Sequence, residues 1–211
     1  MIQGSAEWLA ARAGNCTGSR IYDACAKGKT GKYYQARADY MNELLIERLT
    51  GQAAQHFVSD AMQWGTMYEG EARAIYETRE GTLVTECAYF PHPSIAHSGA
   101  TPDGLVEDEG DIEIKCPTTG VHLETILSGE IPEKHTYQMA WEAECSGRKW
   151  VDFISYDPRL PGNLSFFCIR YTPPEDFRAY LRAEAVKFLD ELALLEAKVR
   201  AYGLRGNHGN D

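Results

Sequence analysis

Up to about residue 80, apolar residues recur every three or four positions, the spacing of helices with one buried face. On that spacing residues 5–12 and 17–26 are predicted as short helices bracketing Gly14, and residues 35–50 as a longer one after the Gly/Lys-rich loop KGKTGKYY. Another runs over 60–78, where Met67, Glu71, Ala72 and Ile75 fall at helical spacing. From Thr82 the period shortens to two. TLVTECAYF, SIAHSGATPDGLVE and DIEIKCP are short alternating runs divided by turn residues, which predicts an antiparallel meander. A helix over 134–146 follows, then the strands KWVDFISYD and LSFFCIRY joined by PRLPGN. The last helix opens at Thr172-Pro173-Pro174-Glu175, a capping box with proline in the first turn, and continues to about 201. Its stripe of Phe177, Leu181, Ala185, Phe188, Leu192, Leu195 and Val199 predicts a face packed on the core. The class is α+β or mixed α/β, in one domain over 1–211 with a frayed tail from residue 203.

A chain of 211 residues buries roughly 70 % of its unfolded surface, enough for a sizeable core. No run approaches the ~20 apolar residues of a membrane span, and the N-terminus lacks a basic region followed by an apolar signal core, so the expectation is a cytoplasmic protein with no membrane partner. The six cysteines, Cys16, Cys25, Cys87, Cys116, Cys145 and Cys168, are scattered without a C-x-x-C pair, which argues against zinc, iron–sulfur or redox dithiol chemistry. A net charge of −10 argues against nucleic acid until its distribution is considered. Residues 12–37 carry Arg12, Arg20, Lys27, Lys29, Lys32 and Arg37 against Asp23 alone, a local basic strip on an acidic chain.

Residues 98–117, SGATPDGLVEDEGDIEIKCP, combine a tight turn with a strand of two unlike faces. Thr101-Pro102-Asp103-Gly104 has Pro and Gly where a turn wants them, fixing Asp103. In the following strand Ile112 and Ile114 point one way and Glu113 and Lys115 the other. A hairpin through EDEGD would bring the Asp103 and Glu113 carboxylates together, an arrangement that suits a hard divalent cation, with the Ile114 carbonyl as a third ligand and Lys115 beside it. The same residues also fit a plain turn followed by an amphipathic strand with a solvated face. The loop containing GKT is not a Walker A loop, because Asp23 stands where its first glycine belongs.

Asp103 with Glu113-Ile114-Lys115 matches the PD-(D/E)-x-K nuclease core, written here TPD…EIK. Together with AEWLAARAGNCTGS, WGTMYEGEAR, ATPDGL, IEIKCP, the helix bearing Gln138 and FISYDPR, in that order, the chain resembles the phage lambda exonuclease and YqaJ-like viral recombinase family from about residue 5 to 190. The resemblance implies a restriction-endonuclease-like core, a central mixed β-sheet flanked by helices. It implies a processive 5′→3′ exonuclease that uses two Mg²⁺ ions, with Mn²⁺ as a substitute, and digests one strand of duplex DNA from its end to mononucleotides, leaving a 3′ overhang. Asp103, Glu113 and the Ile114 carbonyl would be metal ligands, Lys115 the catalytic lysine, Glu69 the helix glutamate beside the metals, and Gln138 the glutamine completing the motif. His135 stands where the family has a tyrosine.

Arg12 matches the arginine that grips the 5′-terminal phosphate, and Ser19 and Thr101 match hydroxyls near it. The family's second phosphate-side arginine has no counterpart near Val121, in what reads as a loop after the catalytic strand, and His122 or Thr119 is the candidate substitute. Lys27, Lys29 and Lys32 would contact backbone phosphates, and Met62 would be an apolar wedge between the strands. The family also implies a toroidal homotrimer, and as partner a phage single-strand annealing protein of the Bet or RecT kind, in the cytoplasm of a bacterial host carrying the phage or prophage. Without the resemblance, Glu69 is a solvated helix residue, Gln138 a cap or packing residue, Arg12 a surface residue, Ser19 a cap, Met62 a core residue and the three lysines a solvated loop. The competing functions are a RecB-like or Cas4-like nuclease of the same core and a catalytically silent DNA-end-binding module. The absent iron–sulfur cysteines and the intact Asp103, Glu113 and Lys115 argue against them.

Overall fold

The computed structural model describes residues 3–54 and 59–205. In chain order the elements are α1 (Ala6–Arg12), β1 (Cys16–Thr17), a 3-10 turn (Gly18–Arg20), α2 (Ile21–Cys25), α3 (Gln35–Thr50), α4 (Asp60–Glu80), β2 (Val84–Thr85), β3 (Phe90–Pro91), β4 (Ser98–Ala100), β5 (Gly104–Val106) and β6 (Gly110–Lys115). They continue with α5 (Thr119–Ser128), α6 (Glu133–Ser146), β7 (Trp150–Tyr156), a 3-10 turn (Gly162–Ser165), β8 (Phe166–Tyr171) and α7 (Glu175–Arg205). Side-chain caps start α1 and α4, where Ser5 accepts from the Trp8 amide and Ser59 from the Met62 amide.

Five strands form a mixed sheet in the order β2-β5-β6-β7-β8, and three form a small sheet in the order β1-β4-β3. Within the three alternating runs expected to form an antiparallel meander, the pairs β2/β5, β3/β4 and β5/β6 are all antiparallel. The later strands β7 and β8 are also antiparallel, whereas β6 and β7 pair in parallel. A parallel pair needs a crossover, and α5 and α6 supply it. The segment after β6 that reads as a loop in the sequence is thus helix α5. The two long alternating runs are each divided between the sheets, as β2 and β3, and as β4 and β5. Pro102, which has no amide hydrogen to donate, stands where the chain passes from one sheet to the other. Residues 17–26 are only partly helical, since Cys16 and Thr17 pair with Ser98 and Gly99.

The sheet is buried on both faces. Ile112, Ile114, Ile154 and Tyr156 pack against Ala72 and Tyr76 of α4, while Val151 and Phe153 pack against Met139 and Ala143 of α6. A third cluster joins α2, α3, α6 and α7 around Tyr40, Trp141 and Phe188. The α7 stripe is as expected at Leu181, Ala185, Phe188 and Leu192, all fully buried, whereas Val199 is exposed. The tail expected to fray from residue 203 is helical as far as Arg205, and its remainder lies outside the described residues. Among the described residues no helix is long and apolar enough to cross a membrane.

Gly104, which joins the turn at Asp103 to the sheet, faces Val84 so closely that an added Cβ would lie 2.2 Å from its Cγ1. Gly104→Ala is therefore expected to destabilise the fold by about 1–3 kcal/mol, read as a lower urea midpoint at unchanged slope. A midpoint equal to the parent's would show that β2 yields at this contact.

Candidate active site

Asp103 is tied to β6 twice: its amide donates to the Ile112 carbonyl at 3.1 Å, and its Oδ2 accepts from the Ile114 amide at 2.7 Å. That second bond aligns its carboxylate with the strand carrying Glu113 and Lys115. Glu113 pairs across the sheet with Phe153, which packs on α6, so Glu113 points to the α6 side. The face that the strand pattern left open as solvated is covered: Glu113 is fully buried. The Lys115 ammonium sits on Glu113 Oε1, and the carboxyl of Glu113 also lies within hydrogen-bond reach of Glu142.

Helix α6 closes the site from above. Gln138 donates from Nε2 to Oε1 of Glu142 at 2.9 Å, and Glu142, 1 % exposed, leaves Oε2 without a partner. His135, one turn earlier, stacks on Phe153. Burial, followed by the charges of Lys115 and Lys134, lowers the His135 imidazole to about 3, so it is neutral at physiological pH. Sequence reasoning missed Glu142. Its signal is a glutamate four residues after Gln138 in a helix otherwise buried nearly all round, from Tyr137 to Cys145.

Helix α4 supplies the third side. Glu69 Oε1 accepts from Arg73 Nη2 at 2.7 Å, and the same nitrogen reaches the Asp103 carbonyl at 3.1 Å. Arg73, also unflagged by the sequence, thereby holds the helix glutamate against the turn. The FISYDPR stretch acts as a brace. Buried Asp157 accepts from the Arg159 Nε at 2.6 Å, while Arg159 donates to the Pro117 carbonyl at 3.1 Å and lies 4.4 Å over the Trp64 ring.

Burial, then the Asp103 charge, pushes the Glu69 carboxyl from 4.5 up to about 7. The same two causes raise Glu113, and burial followed by Glu113 and Asp103 raises Glu142. Burial alone would lower Lys115, but Glu113 and Asp103 hold it above the ordinary lysine value. Each carboxylate therefore feels the next. Among the described residues no three His, Cys, Asp or Glu side chains form a finished metal cage. The donor set nonetheless fits a hard divalent cation, because adjoining buried carboxylates with more oxygens than cationic partners are what such an ion coordinates.

The phosphate-pocket candidates also come together. Arg12 donates from Nη2 to Ser19 Oγ at 3.1 Å and lies 4.1 Å over the Trp8 ring, whose Nε1 donates to Thr101 Oγ1 at 3.1 Å. Among the described residues Arg12 has no carboxylate partner in an ion pair, and burial lowers its pKa. Gly14, at φ 71°, turns the chain between α1 and β1 so that Arg12 and Ser19 meet.

Other candidates lie elsewhere. His122 is buried in α5, with Nδ1 2.7 Å from Ser155 Oγ and Nε2 2.9 Å from the Leu164 carbonyl; both ring nitrogens are taken, so it cannot replace a phosphate-binding arginine. Lys27 is paired with Glu184 at 2.7 Å, which removes it from the free basic strip. Arg20 and Arg37 are likewise paired, with Asp23 and Glu43 and with Glu191. Lys29 and Lys32 are exposed, and Met62 is an exposed residue in the first turn of α4.

Residues 7–149 match the YqaJ-like viral recombinase domain family. The crystal structure of an alkaline exonuclease, LHK-Exo, from Laribacter hongkongensis is 41% identical and superposes with a TM-score of 0.89, covering 95% of this chain and 99% of that one. The structure of LHK-Exo in complex with dAMP matches equally. A phage related exonuclease from Haemophilus somnus 129PT shares the fold at 13% identity, with a TM-score of 0.62 over 85% of this chain and 95% of that one. No curated protein matches the chain.

A carboxyl whose pKa is raised on folding stabilises the protein below its unfolded value and loses that contribution as pH rises through its folded value. Glu69 makes that window 4.5 to about 7 and Glu113 extends it to about 8, and above 6.5 the neutral His135 no longer offsets it. In EDTA the Tm is expected to fall by about 3–8 °C between pH 6.5 and about 8, and excess Mg²⁺ is expected to abolish the fall. A flat profile in EDTA would show that these carboxylates do not burden the metal-free fold.

Proposed function

The chain belongs to the YqaJ-like viral recombinase family, and from that premise we propose that it is a metal-dependent exonuclease that degrades one strand of duplex DNA from a 5′-phosphorylated end. The observation that carries this reading is the segment Thr101-Pro102-Asp103. At one end Thr101 joins the Trp8, Arg12 and Ser19 pocket, and two residues later Asp103 is locked to β6 beside Glu113 and Lys115. A site for a terminal phosphate monoester and a centre for cleaving a diester are therefore built on one short piece of backbone.

The Arg12 guanidinium, held flat on Trp8 and backed by the Ser19 hydroxyl, offers charge and planar donors to a phosphate. Asp103, Glu113 and the Ile114 carbonyl would hold the cation, with Glu69 at its margin. A bound Mg²⁺ supplies charge neutralisation at the scissile phosphate and acidifies water. Lys115, kept protonated by its carboxylate neighbours, stabilises negative charge developing on the phosphate oxygens. Gln138 and neutral His135 line the approach from α6, where they orient water or phosphate by hydrogen bonding without adding charge.

In the reaction, water adds to phosphorus, the P–O3′ bond breaks, and the released 3′-oxygen takes a proton. The product is a 5′-mononucleotide, the chemical class of the dAMP held by the Laribacter enzyme. The remaining strand again ends in a 5′-phosphate, so each cut regenerates the group that the Arg12 pocket takes. That recurrence supports stepwise 5′→3′ digestion leaving a 3′ overhang, the substrate of a single-strand annealing protein. Exposed Lys29 and Lys32 suit the duplex backbone, and Met62 suits a wedge at the fork. A ring of three copies would keep the duplex enclosed between cuts, in the cytoplasm of a host cell.

Linear duplexes labelled at either end test the activity, with Lys115→Ala as the chain expected to bind and not cut. Mg²⁺-dependent loss of the 5′-phosphorylated strand as mononucleotides, with the complement intact, is the expected result; internal cuts or no cleavage would reject it. In the same assay Arg12→Ala should slow digestion from 5′-phosphate ends about tenfold or more while sparing the first cut at 5′-hydroxyl ends, and equal slowing of both would remove the pocket assignment. The ring is tested by light scattering, with an expected mass of three times 23.6 kDa. A mass of one chain rules it out.

A further inference from the structure

We propose that Glu142 is a cation-binding carboxylate of this centre, facing the divalent ion from the α6 side, and not a packing residue retained as a partner for Gln138. The inference rests on the metal-dependent reading above and adds to it a residue outside the D…E-x-K pattern. Glu142 is 1 % exposed, on a helix whose neighbouring buried positions are Met139, Ala140, Trp141 and Ala143. A carboxylate in such a place is expensive unless it is paired or coordinated. Its Oε1 accepts from the neutral amide of Gln138, and among the described residues no basic or amide group reaches Oε2, which is left to share a proton with the Glu113 carboxyl.

The surroundings point the same way. The charge of Glu142 acts on Arg12 on one side and on Lys115, Glu113 and Asp103 on the other, which sets it between the phosphate pocket and the cleavage centre. Glu113, fully buried, has the Lys115 ammonium on Oε1, and its Oε2 has no donor from a basic or amide group. Among the described residues, the ion pairs of the four carboxylates Asp103, Glu113, Glu142 and Glu69 are Lys115 with Glu113 and Arg73 with Glu69. Without a cation, these two buried carboxyls can remain beside each other only by sharing a proton. A divalent ion held by both would replace that proton and relieve the repulsion between the ionised groups.

The test compares E142Q with the parent chain, free of DNA, by titration calorimetry with Mn²⁺ and by Tm in EDTA. The glutamine retains an oxygen for the Gln138 amide, so the substitution removes charge and leaves the hydrogen bond. The expected result is a Tm in EDTA equal to or above the parent's, with Mn²⁺ affinity at least tenfold weaker or one bound ion fewer. Unchanged affinity and stoichiometry overturn the assignment, as does a weakened affinity accompanied by a Tm in EDTA several degrees below the parent's, which marks a structural role. Should E142Q not fold, Glu142→Asp keeps the charge and withdraws it by one methylene; parent-like Mn²⁺ binding by that variant also overturns the proposal. If the parent chain takes up no Mn²⁺, the metal-dependent reading itself has failed; if the parent binds and E142Q binds equally, only the role of Glu142 has.

Discussion

Glu113 is a carboxylate with no exposed surface, lying between a β-sheet and a helix with a single ammonium beside it, and much of the structure is arranged around that constraint. Desolvation makes its charge unfavourable and Asp103 adds repulsion, while Lys115 and a hydrogen bond with Glu142 work the other way. The fold tolerates this because the surrounding scaffold is apolar and rigid: Ile112 and Ile114 are clamped by α4 and Phe153 by α6. Stability is lost at the centre and regained in the core on either side, the usual relation between a strained functional site and its support.

Two ties convert that local arrangement into a shaped site. The Asp103 bond to the Ile114 amide fixes one carboxylate against the strand that carries the others. Arg73 then fastens α4 to the same turn through the Asp103 carbonyl, and Arg159 fastens α4 to the chain leaving β6 through Trp64 and Pro117. The turn also carries Thr101, so the small sheet with its Arg12 pocket cannot move far from the cleavage centre without breaking these contacts.

Charge on the surface follows a similar economy. The basic strip of residues 12–37 is largely consumed within the fold, where Arg20, Lys27 and Arg37 meet carboxylates of α2, α3 and α7. What remains for a polyanion is Arg12 in its pocket and the exposed Lys29 and Lys32. So few unpaired cations in this strip limit its general adhesion to a polyanion, since nonspecific affinity rises with the number of phosphates neutralised.

The helices were legible because a 3.6-residue apolar period declares its buried face locally, as in the α7 stripe from Leu181 to Leu192. The TPD turn, the E-x-K strand and the Arg12, Ser19 and Thr101 set were legible as motifs, and the structure gathers them. Helix α5 was misread because its exposed residues Val121, Leu123 and Leu127 blur the apolar period. His122 was misplaced for the related reason that its two partners, Ser155 and Leu164, lie more than thirty residues away. By itself, then, the sequence determined the elements, the hairpin and the identity of the charged strand, all of which depend on neighbours within a few residues. Only the tertiary structure decided that β6 and β7 run parallel, that the charged face is buried under α6, and that Glu142 joins it, because burial and electrostatic repulsion exist only once distant segments share the same space.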